Sequence, residues 1–310
     1  MATYQYGFAA EQNNIIWDRI KNMDASEPDI KFFNSKPGNS SQNVEPTVEE
    51  PSPHRRGAQY SPESLYYDMS GEKYLLIFNH FKYQCTRYFR FKTPKPRNGT
   101  DQDVKVLKGL FSSLGFKVLT YNDYTHDQII RTIGTISKQD HSLTSCLAVA
   151  IMTHGDKNGE LFAADRPYQL KDITNMFEGG DASLVNKPKI FFIQACRGEL
   201  ADPGRTIQFD GDEDNTLHVP THIDFLVACS TVEDHISWRD IGGSWFFQEL
   251  CEVIWTHHEQ MDLLHMLTLV TRNVALGHSS NVPKDAKFDK KKQTPETRFT
   301  LTKLLRFSTY

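Results

Sequence analysis

The chain has 310 residues, of which 38% are hydrophobic and 24% are charged, and its formal net charge is -4 at pH 7. Its hydrophobic content suffices for a substantial core, and its length allows one large domain with a tail or two small domains. The acidic balance argues against a dedicated nucleic-acid binder. Because we find neither a run of roughly 18 apolar residues nor the features of a signal peptide, we expect a cytoplasmic protein.

Residues 1–64 differ in composition from the rest of the chain. Five prolines lie between Asn34 and Ser64, among serine, asparagine and glutamate residues. A segment of this kind buries too little apolar surface to offset the entropy that is lost when it becomes ordered. We therefore predict a flexible leader over 1–64.

From Tyr74 onward, apolar strands alternate with amphipathic helices. We predict strands near 74–78, 116–120, 146–152, 190–193, 222–230 and 299–307, and helices from Asp101 and over 125–133, 170–177, 244–255 and 262–276. The first helix should bury Val104, Leu107, Leu110, Phe111 and Leu114, and Thr125 with Gln128 has the spacing of a capping box. This alternation predicts an α/β fold, a three-layer α/β/α sandwich whose mostly parallel sheet has about six strands.

Two motifs with reactive side chains directly follow apolar strands. Cys196 lies in Gln194-Ala195-Cys196-Arg197-Gly198, and His154-Gly155 follows the strand that ends at Met152. Two parallel strands joined by a crossover helix place both motifs at the same edge of the sheet. A free thiol, with a pKa of about 8.5, is mostly protonated at neutral pH, so it needs an imidazole to take its proton. The residues thus predict a cysteine nucleophile with His154 as its base.

The pentapeptide around Cys196 resembles the signature of the caspase family. The resemblance extends from Tyr74 to the end of the chain and includes Arg97-Asn98-Gly99-Thr100-Asp101, His154-Gly155 and Ser237-Trp238-Arg239. The leader is too short for the helical adaptor domain of recruited caspases, which favours the executioner kind. The resemblance implies a cysteine endopeptidase that cuts after Asp, is made as a zymogen and acts in apoptosis, without a cofactor or a metal.

The resemblance also implies the roles of the catalytic residues. Cys196 and His154 form the dyad, and the backbone N–H groups of Gly155 and Cys196 stabilise the oxyanion. Gly155 has no Cβ, which lets a substrate approach closely. The other cysteines in apolar surroundings, Cys146, Cys229 and Cys251, are expected to pack in the core.

Substrate choice follows from a clamp that the resemblance assigns to Arg97, Arg239 and Gln194. Two guanidinium groups can hold one carboxylate bidentately, whereas an asparagine would leave them unpaired. The walls of the other substrate pockets are expected from Ser237, Trp238 and Trp245.

Three features depart from the executioner pattern. Ile236 stands where an aromatic residue often narrows the second pocket, so this pocket should be wider. Asp240 should repel an aspartate four residues before the cut, although Lys284 and Lys287 offer compensating charge. The basic stretch 82–97, which contains aromatic residues and no acid, is either a rim of the cleft that attracts acidic substrates, which we favour, or an RNA-binding surface.

Activation is expected to require processing at aspartates. The resemblance divides the folded part into a large subunit, 65–210, and a small subunit, 211–310, which form one domain. The acidic segment between them should be an exposed loop that is cut after Asp210 or, as a second choice, after Asp214. Leader removal is predicted after Asp24, with Asp29 as the weaker candidate.

The expected partners are protein substrates with Asp before the cut and an upstream activating protease. We also expect a homodimer, each copy having a large and a small subunit, that pairs through the edge strand near 299–307. The new amino terminus at Ala25 could be captured by inhibitor-of-apoptosis proteins. No nucleic-acid or membrane partner is expected. The alternative is a catalytically weak relative that binds or regulates other caspases.

Overall fold

The computed structural model of the chain describes residues 61, 63–156, 159–197, 223–240 and 242–307. The strands in these residues are β1 (Glu72–Asn79), β2 (Phe116–Asn122), β3 (Thr144–Met152), β4 (Glu160–Phe162), β5 (Pro167–Gln169), β6 (Lys189–Gln194), β7 (Phe225–Cys229), β8 (Arg239–Asp240), β9 (Gly243–Ser244) and β10 (Glu296–Phe299). The α-helices are α1 (Thr100–Ser113), α2 (His126–Ser137), α3 (Leu170–Glu178), α4 (Trp245–His257) and α5 (Leu263–Arg272). Most of the predicted leader and the processing residues Asp24, Asp210 and Asp214 lie outside the described residues.

Six strands form the central sheet in the order β10-β7-β6-β3-β1-β2. All neighbouring strands are parallel except β10, which runs antiparallel to β7. The central strands β3 and β6 are buried along their whole length, as the apolar runs in the sequence indicated. The prediction of a mostly parallel sheet of six strands is confirmed.

Helices cover both faces of the sheet, because alternate side chains of each strand point to opposite sides. On one face, Phe78 of β1 packs in a cluster with Ile133 of α2 and Phe177 of α3. On the other face, Phe192 of β6 lies against Phe111 of α1, with ring centroids 5.9 Å apart. Helix α1 also contacts α4, which contacts α5, whereas α2 contacts α3. These contacts give the predicted α/β/α order.

The first turn of α1 differs from the prediction. Val104 is only half-buried, and the buried positions of this turn and the next are Thr100, Asp103, Val106 and Leu107. The prediction that Val104 is buried was wrong, because a pattern of hydrophobic residues treats an aspartate such as Asp103 as exposed. The buried Asp103 therefore has a structural reason that the hydrophobic pattern does not reveal.

Two other helices begin at a side-chain cap, of which the one at Thr125 was predicted. The Thr125 N–H donates to the Gln128 side chain (2.8 Å), and Asp262 accepts from the Leu264 N–H at the start of α5 (3.0 Å). Helix α5 ends at Arg272 and continues as a π-helical segment, Asn273–Gly277, which accounts for the predicted end at 276. No helix within the described ranges is long and apolar enough to cross a bilayer.

The predicted last strand near 299–307 is wrong in position. Strand β10 ends at Phe299, and the apolar residues beyond it serve another purpose. Leu305 and Phe307 are buried, and the Phe307 ring lies 6.0 Å from Phe111 and 5.8 Å from Phe116. This terminal segment thus contributes core side chains, and the edge of the sheet is formed by β10.

Candidate active site

The register of β3 and β6 brings the two predicted catalytic motifs together. Met152 pairs with Gln194 at the carboxyl ends of these strands, and the Thr153 N–H donates to the Gln194 carbonyl (3.0 Å). His154 and Cys196 follow directly on the two chains that leave this pair. The prediction that both motifs lie at one edge of the sheet is confirmed.

Gly155 lies in close contact with the loop that carries Cys196. A Cβ at this position would be 2.1 Å from the Cys196 carbonyl oxygen and 2.8 Å from that of Glu160, so no side chain fits. We predicted that the missing Cβ leaves room for a substrate, but in the structure this room is taken up by the close approach of the Cys196 loop and Glu160. Among the described residues, no backbone acceptor pairs with the N–H of Gly155 or of Cys196. Both N–H groups, whose loops touch, are thus available as donors.

His154 is held by contacts on two sides. Its Nε2 donates to the Lys95 carbonyl (2.7 Å), which leaves the lone pair of the neutral ring on Nδ1. Its ring stacks on Tyr83 (5.1 Å between centroids), and its backbone N–H donates to the Tyr83 hydroxyl (3.0 Å). Burial lowers the pKa of His154, and the charges of Arg97 and Arg239 lower it further, against the opposing effect of the Lys95 carbonyl. The imidazole is therefore uncharged at neutral pH and can accept a proton.

Cys196 differs from the cysteines of the core. Its thiol is half-buried and lies 3.8 Å from the Ser237 carbonyl oxygen. Cys146, Cys229 and Cys251 are buried, as predicted, and burial raises the pKa of Cys146 to about 12 and that of Cys229 to about 11. These three thiols are inert by burial, whereas Cys196 can meet a substrate.

The loop that carries Cys196 is fixed to the segment after residue 222. The Arg197 N–H donates to the His235 carbonyl, and the Asp234 N–H donates to the Arg197 carbonyl, both at 3.0 Å. The Arg197 side chain is buried and pairs with Glu296 of β10. Residues from both sides of the predicted processing loop therefore hold the nucleophile in place.

The predicted clamp arginines lie close enough for their charges to interact. Arg97 is 2% exposed, and its Nη1 donates to the His80 carbonyl (3.1 Å) and to the Thr100 hydroxyl (2.9 Å). Burial lowers the pKa of Arg97 to about 10, and the charge of Arg239 acts in the same direction. Arg97 Nε and Arg239 Nη1 are buried and have no hydrogen-bond partner among the described residues. One buried and one half-buried cation, each with a buried donor that no described residue occupies, form a site for an anion.

Gln194 and the tryptophans border the same site. Gln194 Nε2 donates to the Ser237 hydroxyl (2.6 Å), and its Oε1 is buried without a partner in the described part of the chain. The Trp238 ring stacks on Trp245 (6.0 Å between centroids). Because Trp245 is only 6% exposed, it supports Trp238 from beneath and offers little surface of its own to a substrate.

Several residues of this site were not predicted from the sequence. Gln293 is buried; its Oε1 accepts from the Trp238 N–H (2.6 Å), and its Nε2 donates to the Ser230 carbonyl (2.7 Å). Lys95 acts through its backbone carbonyl, which leaves no signature in a sequence. Tyr83 belongs to the basic stretch 82–97, whose aromatic residues we noted in the sequence but interpreted as part of the rim of the cleft.

The basic stretch 82–97 serves two purposes in the structure. Tyr83 and Phe89 are buried, and Phe89 packs on Phe162 with ring centroids 5.0 Å apart. The exposed basic side chains of the stretch are Lys82, Arg87, Arg90, Lys92 and Lys95. Part of the stretch therefore supports the site, and the remainder presents positive charge beside it.

Comparison with known proteins agrees with this geometry. The caspase domain matches residues 72–306. The chain is 39% identical over 239 residues to caspase-1 of Drosophila melanogaster, and the aligned part covers 75% of this chain and 72% of that protein. It is 40% identical over 214 residues to caspase-3 of Xenopus laevis, covering 68% of this chain and 73% of that protein.

A solved structure gives the same result. The crystal structure of caspase-1 from Spodoptera frugiperda has a TM-score of 0.72 and 35% identity, and the match covers 82% of this chain and 98% of that one. The chain therefore belongs to the caspase family, as its motifs predicted, and is an executioner-like cysteine endopeptidase of apoptosis that cleaves proteins after Asp.

Proposed function

We propose that Arg97, Arg239 and Gln194 bind the substrate aspartate and that Cys196 and His154 cleave the bond after it, in a protein that is made as a zymogen. The observation that carries the proposal is a pair of guanidinium groups, one buried and one half-buried, each with a buried donor that has no partner among the described residues, beside a neutral imidazole and a half-buried thiol. No other cluster in the described residues combines a nucleophile, a base and an anion site.

Cleavage proceeds in two stages on these residues. The Cys196 thiol gives its proton to His154 Nδ1, and the sulfur attacks the substrate carbonyl carbon. The N–H groups of Gly155 and Cys196 stabilise the oxyanion, each donor lowering the barrier by about 3 kcal/mol. His154 then protonates the leaving amine, and water releases the second product from the thioester.

The clamp accounts for the choice of aspartate. A substrate carboxylate supplies the negative charge and the acceptors that Arg97 Nε and Arg239 Nη1 lack. Loss of one partner of such a buried charged pair costs about 2 to 5 kcal/mol. An asparagine of the same shape brings no charge and two donors of its own, so it should be rejected.

The finer parts of the proposal concern activation and assembly. We propose a large subunit, 65–210, and a small subunit, 211–310, separated by an upstream protease at Asp210 or Asp214, with the leader cut at Asp24. The bonds of Arg197 to residues beyond 222 support this division, because they can hold the two parts together after a cut. The exposed edge of β10, with Phe299 half exposed, supports a homodimer through this strand. Capture of Ala25 by inhibitor-of-apoptosis proteins remains part of the proposal.

A catalytically weak regulator of other caspases is the less favoured alternative. Such a relative commonly lacks the nucleophile, the base or a clamp arginine, and Cys196, His154, Arg97 and Arg239 are all present here. The arrangement of these residues favours an enzyme.

The test uses the purified full chain, left intact or treated with an immobilised caspase that is removed before the assay, and a matched pair of peptides with Asp or Asn before the bond. We expect cleavage of the Asp peptide only, and none by Cys196→Ala. Cleavage of both peptides at similar rates would contradict the clamp. Mass spectrometry of the treated chain should give a small-subunit terminus at 211 or 215, and a terminus elsewhere would contradict the proposed division.

A further inference from the structure

Asp103 is a buried carboxylate that the catalytic chemistry does not use. It lies in the first turn of α1 and is 0% exposed. Its Oδ1 accepts from the Ser244 backbone N–H (2.8 Å), and its Oδ2 is buried without a partner in the described residues. A carboxylate in this position is costly to bury, so a role for its charge is expected.

The contacts of Asp103 connect the two chain segments that carry the clamp. Helix α1 begins at Thr100, whose hydroxyl accepts from Arg97. On the other side, Ser244 of β9 is the register partner of Arg239 in β8. The contact is tight, because a Cβ at Gly243 would lie 2.5 Å from Asp103 Oδ1. One carboxylate thus joins a segment before the processing loop to a segment after it.

The charge of Asp103 opposes that of the clamp. Burial raises the pKa of Asp103 to about 6, whereas its bond to Ser244 and the charges of Arg97 and Arg239 lower it. The carboxyl group is therefore ionised at neutral pH. One negative charge then faces two positive charges, and a single substrate carboxylate makes the buried cluster neutral.

We propose that Asp103 is a positioning residue for substrate selection, whose buried carboxylate holds the segments of Arg97 and Arg239 so that both guanidinium groups face one substrate carboxylate. The inference deepens the proposed function and rests on the proposed clamp. Asp103 acts through the arginines and does not touch the reacting atoms.

The direction of the expected effect follows from preorganisation. Without the carboxylate, the two guanidinium groups repel each other in a buried site that contains no anion. The two guanidinium groups should then turn away from each other. A substrate has to bring them together again when it binds, and the free energy of this rearrangement weakens binding. The KM for an Asp peptide should rise, although the pocket has become more positive overall. The thiol and the imidazole should keep their reactivity, because neither bonds to Asp103.

The test compares Asp103→Asn with Asp101→Asn. Asparagine keeps the shape of the residue and an oxygen for Ser244, but it removes the charge. Asp101 lies in the same turn, is exposed and provides the matched control. The Asp and Asn peptides are assayed with both variants, and alkylation of Cys196 by iodoacetamide is followed by mass spectrometry of the Cys196 peptide, since Cys85 is also exposed.

We expect the KM for the Asp peptide to rise about tenfold or more in Asp103→Asn, with an unchanged rate of Cys196 alkylation and no effect of Asp101→Asn. An unchanged or lower KM would overturn the inference. A parallel loss of alkylation would also overturn it, because the role would then be structural only. A wild-type enzyme that does not prefer Asp to Asn would refute the proposed function itself, which is a separate outcome.

If Asp103→Asn does not fold, the pH dependence of KM in His154→Gln, followed through its residual activity, provides the test. The charged and titratable groups that face Asp103 are Arg97, Arg239 and the Cys251 thiol of α4. Asp103 changes its charge between pH 7.5 and 5.5, and the substrate aspartate, with a pKa of about 3.9, stays ionised. His154, whose charge acts on Arg97 and Arg239, also gains a proton below pH 6.5, and its replacement by glutamine removes this second titration. The KM should rise as the pH falls through this range. A constant KM would overturn the inference.

Discussion

The parts of the chain before and after the predicted processing loop build their shares of the candidate active site in different ways. His154 and Cys196 follow long buried strands whose register is fixed over the whole length of β3 and β6. Arg239 lies on β8, a strand of two residues that pairs only with β9. The first part is positioned by a sheet, and the second by a few polar contacts.

Because of this difference, the reactivity of the thiol and the choice of substrate should depend on different residues. The position of the dyad is shared among many backbone hydrogen bonds, so no single side chain outside it should alter the reactivity of the thiol greatly. The segment that carries Trp238 and Arg239, which we call the wall of the substrate site, depends on individual hydrogen bonds, such as the one from the Trp238 N–H to Gln293. Substitutions in the second part should therefore change substrate binding more than the catalytic step.

The largest effect is expected at the base. His154→Gln should lower kcat for an Asp peptide by about a thousandfold, because a positioned general base contributes about 10²- to 10⁴-fold. The KM should change little. His265→Gln, whose side chain is 75% exposed, provides the control. A His154→Gln enzyme that keeps a tenth of its activity would contradict the assignment.

The pH dependence of kcat, measured with saturating Asp peptide so that changes in KM do not contribute, gives a second test of the dyad. Burial first, and then the charges of Arg97 and Arg239, lower the pKa of His154 from its ordinary value of 6.5. The base must be unprotonated to accept the thiol proton, so activity is lost as the pH falls through this lowered pKa. We expect the midpoint of the acid limb below 6.5, measured at fixed ionic strength. A midpoint above 6.5 would show that the imidazole is not buried as described.

A smaller effect, confined to binding, is expected from Gln293→Leu. The variant leaves the Trp238 N–H and the Ser230 carbonyl without their partners, each at a cost of about 1 to 3 kcal/mol if buried. The wall that carries Arg239 should loosen, so KM should rise while the alkylation rate of Cys196 stays constant. Equal losses in both measurements would show that the two parts of the site are not separable.

The smallest effect is expected from Tyr83→Phe. The ring that stacks on His154 is kept, and the bonds of the hydroxyl to the His154 N–H and the Thr153 hydroxyl are lost. Such bonds contribute about 1 kcal/mol each, so the melting temperature should fall by a few degrees and kcat by a few fold. Tyr88→Phe, at an exposed position, should change neither quantity. A kcat loss as large as that of His154→Gln would mean that Tyr83 has a chemical role.

The sheet and the proximity of His154 to Cys196 could be predicted because their signals are local in sequence. Apolar runs mark the buried strands, and the motif residues follow them at once, so the topology alone brings His154 and Cys196 together. The terminal segment misled the same reasoning, because Leu305 and Phe307 are apolar as core side chains without belonging to a strand. Periodicity reports burial, and it does not distinguish a strand from an irregular segment that packs beneath a sheet.

The supporting residues could not be predicted, because their roles depend on contacts between distant segments. Lys95 holds His154 by its carbonyl, Gln293 holds Trp238 from far along the chain, and Asp103 reaches Ser244 across more than a hundred residues. A buried polar side chain has no recognisable spacing before its partner is known. The residues of the candidate site could thus be identified from the sequence, whereas the contacts that hold them in place could not.

The central claim is that arginines from the two parts of the chain bind the same substrate carboxylate. A double-mutant cycle with Arg97→Ala and Arg239→Ala, measured by kcat/KM for the Asp peptide, tests it most directly. Each single variant should lose about 2 to 5 kcal/mol of transition-state stabilisation. The melting temperature of each variant is measured as well. Arg97 also bonds to the His80 carbonyl and the Thr100 hydroxyl, so its replacement should destabilise the fold.

Because the two guanidinium groups act on one carboxylate, the double variant should lose much less than the sum of the single losses, a coupling of about 1 kcal/mol or more. Losses that add fully for the Asp peptide, in variants that remain folded, would contradict the shared clamp.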